Sequence, residues 1–205
     1  MSLNVVFQPW QKARWAHATV GVWRSLVRLV VACLVVGATP AWAQPDTVSI
    51  WMMRHALAPG YGDPADMVLG RCETQRTLSD AGRDQARAAG AWLKAQRLSP
   101  AEVLASPWCR TMETAELLGV GPVTAHPGLA SFFQRGDAQT IQAALVQRVQ
   151  QYLQGPRVKP LVLVTHQVNI SAYTGRGVAS GEILEVRVNA AGQAVSQRSV
   201  WLPNR

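Results

Sequence analysis

Residues 161–165 read LVLVT, five apolar or β-branched residues with no polar face to turn to water. A strand that alternates can lie half-solvated; one that does not must be covered on both faces, as the central strand of a parallel sheet is. Parallel neighbours need long crossover connections, usually helical, and the chain supplies them. TVSIWMM (47–53) reads as a first strand, and Ser79-Asp80 caps a helix to about Gln96 with Ala86, Ala89 and Leu93 on its apolar face. A strand over 102–106 and a helix over 107–118 ending at Gly119 follow, then a short strand at 122–126. A helix over 137–153, with Ile141, Leu145, Val149 and Leu153 at helical spacing, is broken by Gly155-Pro156. Residues 182–188 and 194–202 alternate across Asn189–Gln193 and read as a closing hairpin. This order predicts an α/β fold: a three-layer sandwich with a mostly parallel central sheet, helices on both faces and antiparallel edge strands.

The 205 residues carry twenty basic and twelve acidic side chains, a net charge of +8 that invites a nucleic-acid reading. The distribution removes it. Every acid lies at Asp46 or later, while residues 1–45 hold only Lys12, Arg14, Arg24 and Arg28. That basic stretch leads into LVRLVVACLVVGAT (26–39) and then Ala41-Trp42-Ala43, the pattern of a secretory signal peptide with an Ala-x-Ala cleavage site. The apolar run is short of the ~20 residues that span a bilayer. The expectation is therefore a leader over 1–43, one domain over 44–205 in the periplasm or secreted, no nucleic-acid partner and no stable membrane insertion after cleavage. In an oxidising compartment Cys72 and Cys109 read as a disulfide, two buried free thiols being the alternative. Neither cysteine opens a Cys-x5-Arg phosphate loop, because Leu78 and Ala115 stand where the arginine would be.

Open α/β sheets bind ligands beyond the carboxyl ends of their strands. There the first strand ends in Arg54-His55, the second in Ser106-Pro107-Trp108-Cys109-Arg110 at a helix start, and the central one in His166. Two arginines and two histidines so placed suit a compact anion, since guanidinium forks match phosphate oxygens. His126, after the third strand, reads as a satisfied core histidine with no role.

The motifs MRHA (53–56), RTLSDAGRDQA (76–86), ASPWCRTMETAELL (105–118) and LVLVTH (161–166) resemble, in order, those of the histidine phosphatase superfamily on its phosphoglycerate-mutase-like branch. The leader and the SGE segment (180–182) look like the exported bacterial type, some of which act on a sugar phosphate of the cell envelope. The resemblance implies a metal-independent, cofactor-free phosphomonoesterase acting on a small phosphorylated substrate. It makes His55 the nucleophile, Arg54 and Arg110 phosphate ligands, and His166 a stabiliser of the transition state. Leu78 and Gly82 would position the first helix, and Thr114-Ala115 would pack the second. Two positions depart from the pattern. Ala56 replaces the usual glycine, and the stretch after the third strand, PGLASFF, lacks the expected glutamate proton donor. Asp63, in the Gly-Tyr-Gly-Asp-Pro turn after the nucleophile, is the replacement expected; the plain reading is a turn aspartate before proline. Asp137 stands next, at a helix N-cap position. A phosphate-binding protein that keeps the clamp but lacks the acid is the alternative function.

Overall fold

The computed structural model describes residues 47–134 and 136–203. The leader over 1–43 and its cleavage site lie outside the described residues. Six strands form one sheet: β1 (Val48–Arg54), β2 (Glu102–Ala105), β3 (Val123–Ala125), β4 (Leu161–Thr165), β5 (Ile183–Val188) and β6 (Ala194–Trp201), in the order β3-β2-β4-β1-β5-β6. β4 is parallel to both β1 and β2, and β2 to β3, whereas β5 pairs antiparallel with β1 and β6. The expected α/β sandwich with antiparallel edge strands is borne out.

The period-two pleat divides the core. Ile50, Met52, Leu161 and Leu163 turn to one face, under α3 (Ala138–Gln154) and α4 (Gln167–Thr174). Met53, Val103, Val162 and Val164 turn to the other, under α1 (Asp80–Ala95) and α2 (Cys109–Leu118). All five β4 residues are buried, which is why that strand carries no polar face.

The helix starts follow their caps. The Ser79 hydroxyl accepts from the Gly82 amide at 3.1 Å, and Asp137 accepts from the Gln139 and Thr140 amides, so Asp137 does cap α3. α2 begins two residues later than Pro107 because Trp108 takes the cap position. Sequence reading assigned no element to residues 167–174. α4 is rich in Val, Asn, Ile, Ser and Thr, which give no amphipathic signal. Tertiary contacts hold it: Ile170 is fully buried, and the Asn169 side-chain amide donates to the Ala130 carbonyl at 2.8 Å. No helix among the described residues is long and apolar enough to cross a membrane.

Candidate active site

β1, β2 and β4 run parallel, so their carboxyl ends deliver Arg54-His55, the Ser106–Arg110 turn and His166 to one edge of the sheet. A cavity of about 290 Å³ opens there, lined by Arg54, His55, Asp63, Arg76, Arg110 and His166 together with the 60–62 and 131–134 loops. Every predicted polar site residue therefore reaches one pocket.

Two contacts aim His55. Its Nδ1 lies 2.8 Å from the Ala56 carbonyl oxygen, and a carbonyl only accepts, so Nδ1 carries the proton and Nε2 keeps its lone pair. The next residue is pinned as well: the Ala56 amide donates to Thr114 Oγ1 at 3.1 Å, and that hydroxyl donates to the Arg110 carbonyl at 2.6 Å. Thr114 thus ties the backbone beside His55 to the helix that carries Arg110. Burial, reinforced by the charges of Arg110, Arg54 and Arg76, outweighs the carbonyl contact and lowers His55 to about 3. The imidazole is neutral and nucleophilic at pH 7.

Arg110 is 3% exposed and forms a fork-on-fork ion pair with Asp63, Nη1 to Oδ1 at 2.7 Å and Nη2 to Oδ2 at 3.0 Å. Its Nη2 also lies 3.4 Å from His166 Nδ1. A guanidinium only donates, so His166 Nδ1 accepts, and its Nε2–H donates to Ser106 Oγ at 2.8 Å. His166 is therefore neutral too, its basicity pushed well below the ordinary value by burial and then by neighbouring His55 and the arginines. The two imidazoles meet edge to face with centroids 5.5 Å apart. His166 lines the pocket beside Arg110, with both of its nitrogens engaged within the protein.

Asp63, expected as the proton donor, lies in the pocket as a paired carboxylate. Its carboxylate is 8% exposed and receives the Arg110 fork, the Trp108 indole N–H at 3.2 Å and the Arg76 amide at 3.2 Å. Burial alone would raise its pKa, but these donors, Arg110 first, hold it below the ordinary aspartate value. A carboxylate so held favours its ionised form. It fixes the plane of Arg110.

Arg76 is the site residue that sequence reasoning missed. It stands at the head of the RTLSDAGRDQA motif, but only as a basic residue in a loop. Its Nη1 donates to the carbonyls of Ala58 and Gly60 at 2.9 and 2.7 Å, which staples the loop beyond His55. Arg54 donates through Nη1 to the Val178 carbonyl at 3.0 Å, and Glu182 of the SGE segment closes that loop by accepting from Arg176 and the Ala179 amide. Each of the three arginines keeps a buried Nε that has no partner. Burial and mutual repulsion lower the basicity of Arg54 and Arg76, with Arg110 the main repelling charge. Three crowded guanidiniums with unspent donors are costly without an anion, and one carboxylate offsets only part of that charge.

Cys72 and Cys109 are joined in a disulfide, with Cα atoms 5.7 Å apart. It ties the long loop to the first residue of α2, immediately before Arg110, and the Gln75 side chain adds a contact to the Cys109 amide at 3.0 Å. His126 lies outside the pocket, where its Nδ1 accepts from the Gly128 amide at 3.1 Å.

Fold and pocket together define an α/β protein with a neutral imidazole facing an arginine-lined anion site at the carboxyl edge of its parallel strands. The family model of the histidine phosphatase superfamily (branch 1) matches residues 50–154, and the chain belongs to that superfamily. Among curated proteins none matches it. Among solved structures it is similar to the protein histidine phosphatase SixA complexed with tungstate, at 20% identity over 77% of this chain and 97% of that one, TM-score 0.52. It is also similar to a mycobacterial glucosyl-3-phosphoglycerate phosphatase with inorganic phosphate, at 17% identity over 76% and 97%, TM-score 0.54. At those identities the structural likeness shows the fold.

Proposed function

We propose that this chain is a phosphomonoesterase working through a phosphohistidine at His55, on a small phosphorylated substrate in an exported compartment. The observation that carries the reading is the fixed tautomer of His55, whose free Nε2 shares one pocket with three arginines holding unpartnered donors. In the proposed reaction the His55 Nε2 lone pair forms the N–P bond as the P–O bond to the alcohol breaks. Water then attacks phosphorus, the N–P bond breaks, and orthophosphate leaves. Arg54, Arg76 and Arg110 hold the equatorial oxygens, where charge builds in the transition state. His166 and Asp63 hold Arg110 in place. With Asp63 paired to Arg110, the leaving alkoxide takes its proton from solvent water in this scheme, and the hydroxide so formed returns to solvent. These residues supply the whole sequence without a metal or cofactor step.

The leader pattern supports the exported setting, as does a disulfide beside the site, since such bonds persist in oxidising compartments. A sugar phosphate of the cell envelope is the substrate class this setting favours. The Arg110 fork that occupies both Asp63 oxygens is the one observation that favours a phosphate-binding protein without turnover. Hydrolysis of p-nitrophenyl phosphate by the 44–205 chain separates the two, because that leaving group scarcely needs protonation. Turnover lost in His55→Ala supports the enzyme; phosphate binding without any turnover supports the binding protein.

A further inference from the structure

The pocket has a second wall that the phosphate chemistry does not use. Tyr61 stands between Gly60 and Gly62, which take positive φ values of 93° and 67°, so the turn lifts its ring into solvent. At 89% exposure the ring buries almost nothing in the core, yet it meets Phe133, itself 45% exposed, edge to face with centroids 5.1 Å apart. The two loops are stitched together below the rings: the Asp63 amide donates to Gln134 Oε1 at 2.7 Å. Through Asp63 the same turn is fastened to Arg110. An aromatic pair held out of the core, lining the same cavity as Arg54, Arg76 and Arg110, is set to receive an apolar surface beside those arginines.

We propose that Tyr61 and Phe133 form the subsite for the alcohol part of the substrate and select phosphomonoesters whose alcohol is a ring, such as a sugar or an aryl group. A ring presents a flat C–H or π face to the pair, whereas a short open chain presents little area. The inference rests on the phosphatase reading of the same pocket. Cyclohexyl phosphate and isopropyl phosphate test it. Both are secondary alkyl esters with leaving groups of similar basicity, so they differ mainly in apolar area. Each is measured as a competitor of p-nitrophenyl phosphate turnover, which reads affinity whether or not the ester is cleaved. The wild-type chain should bind the cyclohexyl ester about tenfold or more tightly than the isopropyl ester. Tyr61→Ala and Phe133→Ala should each pull that ratio toward one. Inhibition by inorganic phosphate reports the clamp alone and should hold in both variants, a result that a collapsed pocket would not give. Equal inhibition by the two esters in wild type, or an undiminished ratio in both alanine variants, would overturn the subsite. Absence of p-nitrophenyl phosphate turnover would overturn the phosphatase reading itself.

Discussion

At the scale of single residues, the site is a set of groups whose protonation is fixed by what surrounds them. His55 sits about 3, so its ring signals should not titrate between pH 5 and 8 in an NMR series on the free protein. A His55 midpoint near the ordinary 6.5 would mean that the ring is solvated and the pocket geometry different. Asp63 yields the sharper contrast between roles. As the positioner of Arg110, its replacement in Asp63→Asn should slow p-nitrophenyl phosphate and an alkyl phosphate by the same factor, on the order of 10²-fold. A much greater loss on the alkyl ester would restore Asp63 as proton donor. Arg110→Ala should cost about 10²–10³ in turnover, the usual result of losing a donor aimed at transition-state charge.

At the scale of elements, close packing and one crosslink hold the loops that carry those residues. Gly82 in α1 lets the loop after His55 lie against the helix, since a Cβ there would stand 2.1 Å from the Leu57 carbonyl oxygen. Gly82→Ala must displace that loop, and should cost about 1–3 kcal/mol in urea unfolding together with most of the activity. The Cys72–Cys109 bridge spans 37 residues, worth ~4 kcal/mol on the chain-entropy account. Thiol titration of the unfolded, unreduced 44–205 chain should find no reactive thiol, and a Cys72→Ser/Cys109→Ser chain should unfold at lower denaturant. These elements also mark how far sequence could be read. Strand ends were legible because a buried run such as LVLVT stops abruptly at a polar residue, which fixed Arg54, His55, Arg110 and His166 in one place. Asp63 was placed in the pocket, but its ion pair with Arg110 was not foreseen, because it joins residues 47 apart and leaves no periodic trace. Arg76 and α4 were missed for the same reason: loop carbonyls hold the first and tertiary packing the second.

At the scale of the whole molecule, burying two neutral imidazoles ties stability to pH. The unfolded chain protonates these histidines near 6.5, whereas folded His55 resists until about 3 and folded His166 is shifted in the same direction. Stability should be full above pH 6.5 and fall as the pH drops toward the folded value, because the unfolded state then binds more protons. His55 alone contributes a slope of about 1.4 kcal/mol per pH unit across that window. Chemical denaturation between pH 7 and 4.5 should show the decline, and His55→Gln should make it shallower. A flat profile would mean that neither ring is buried in its neutral form.

The central claim is that phosphorus passes through His55. Incubating the 44–205 chain with labelled substrate and quenching rapidly without acid preserves an acid-labile N–P bond, and peptide mapping then locates the label. The account predicts label on His55 in the wild-type chain and none in His55→Ala. Label on another residue, or label that survives in His55→Ala, would contradict it.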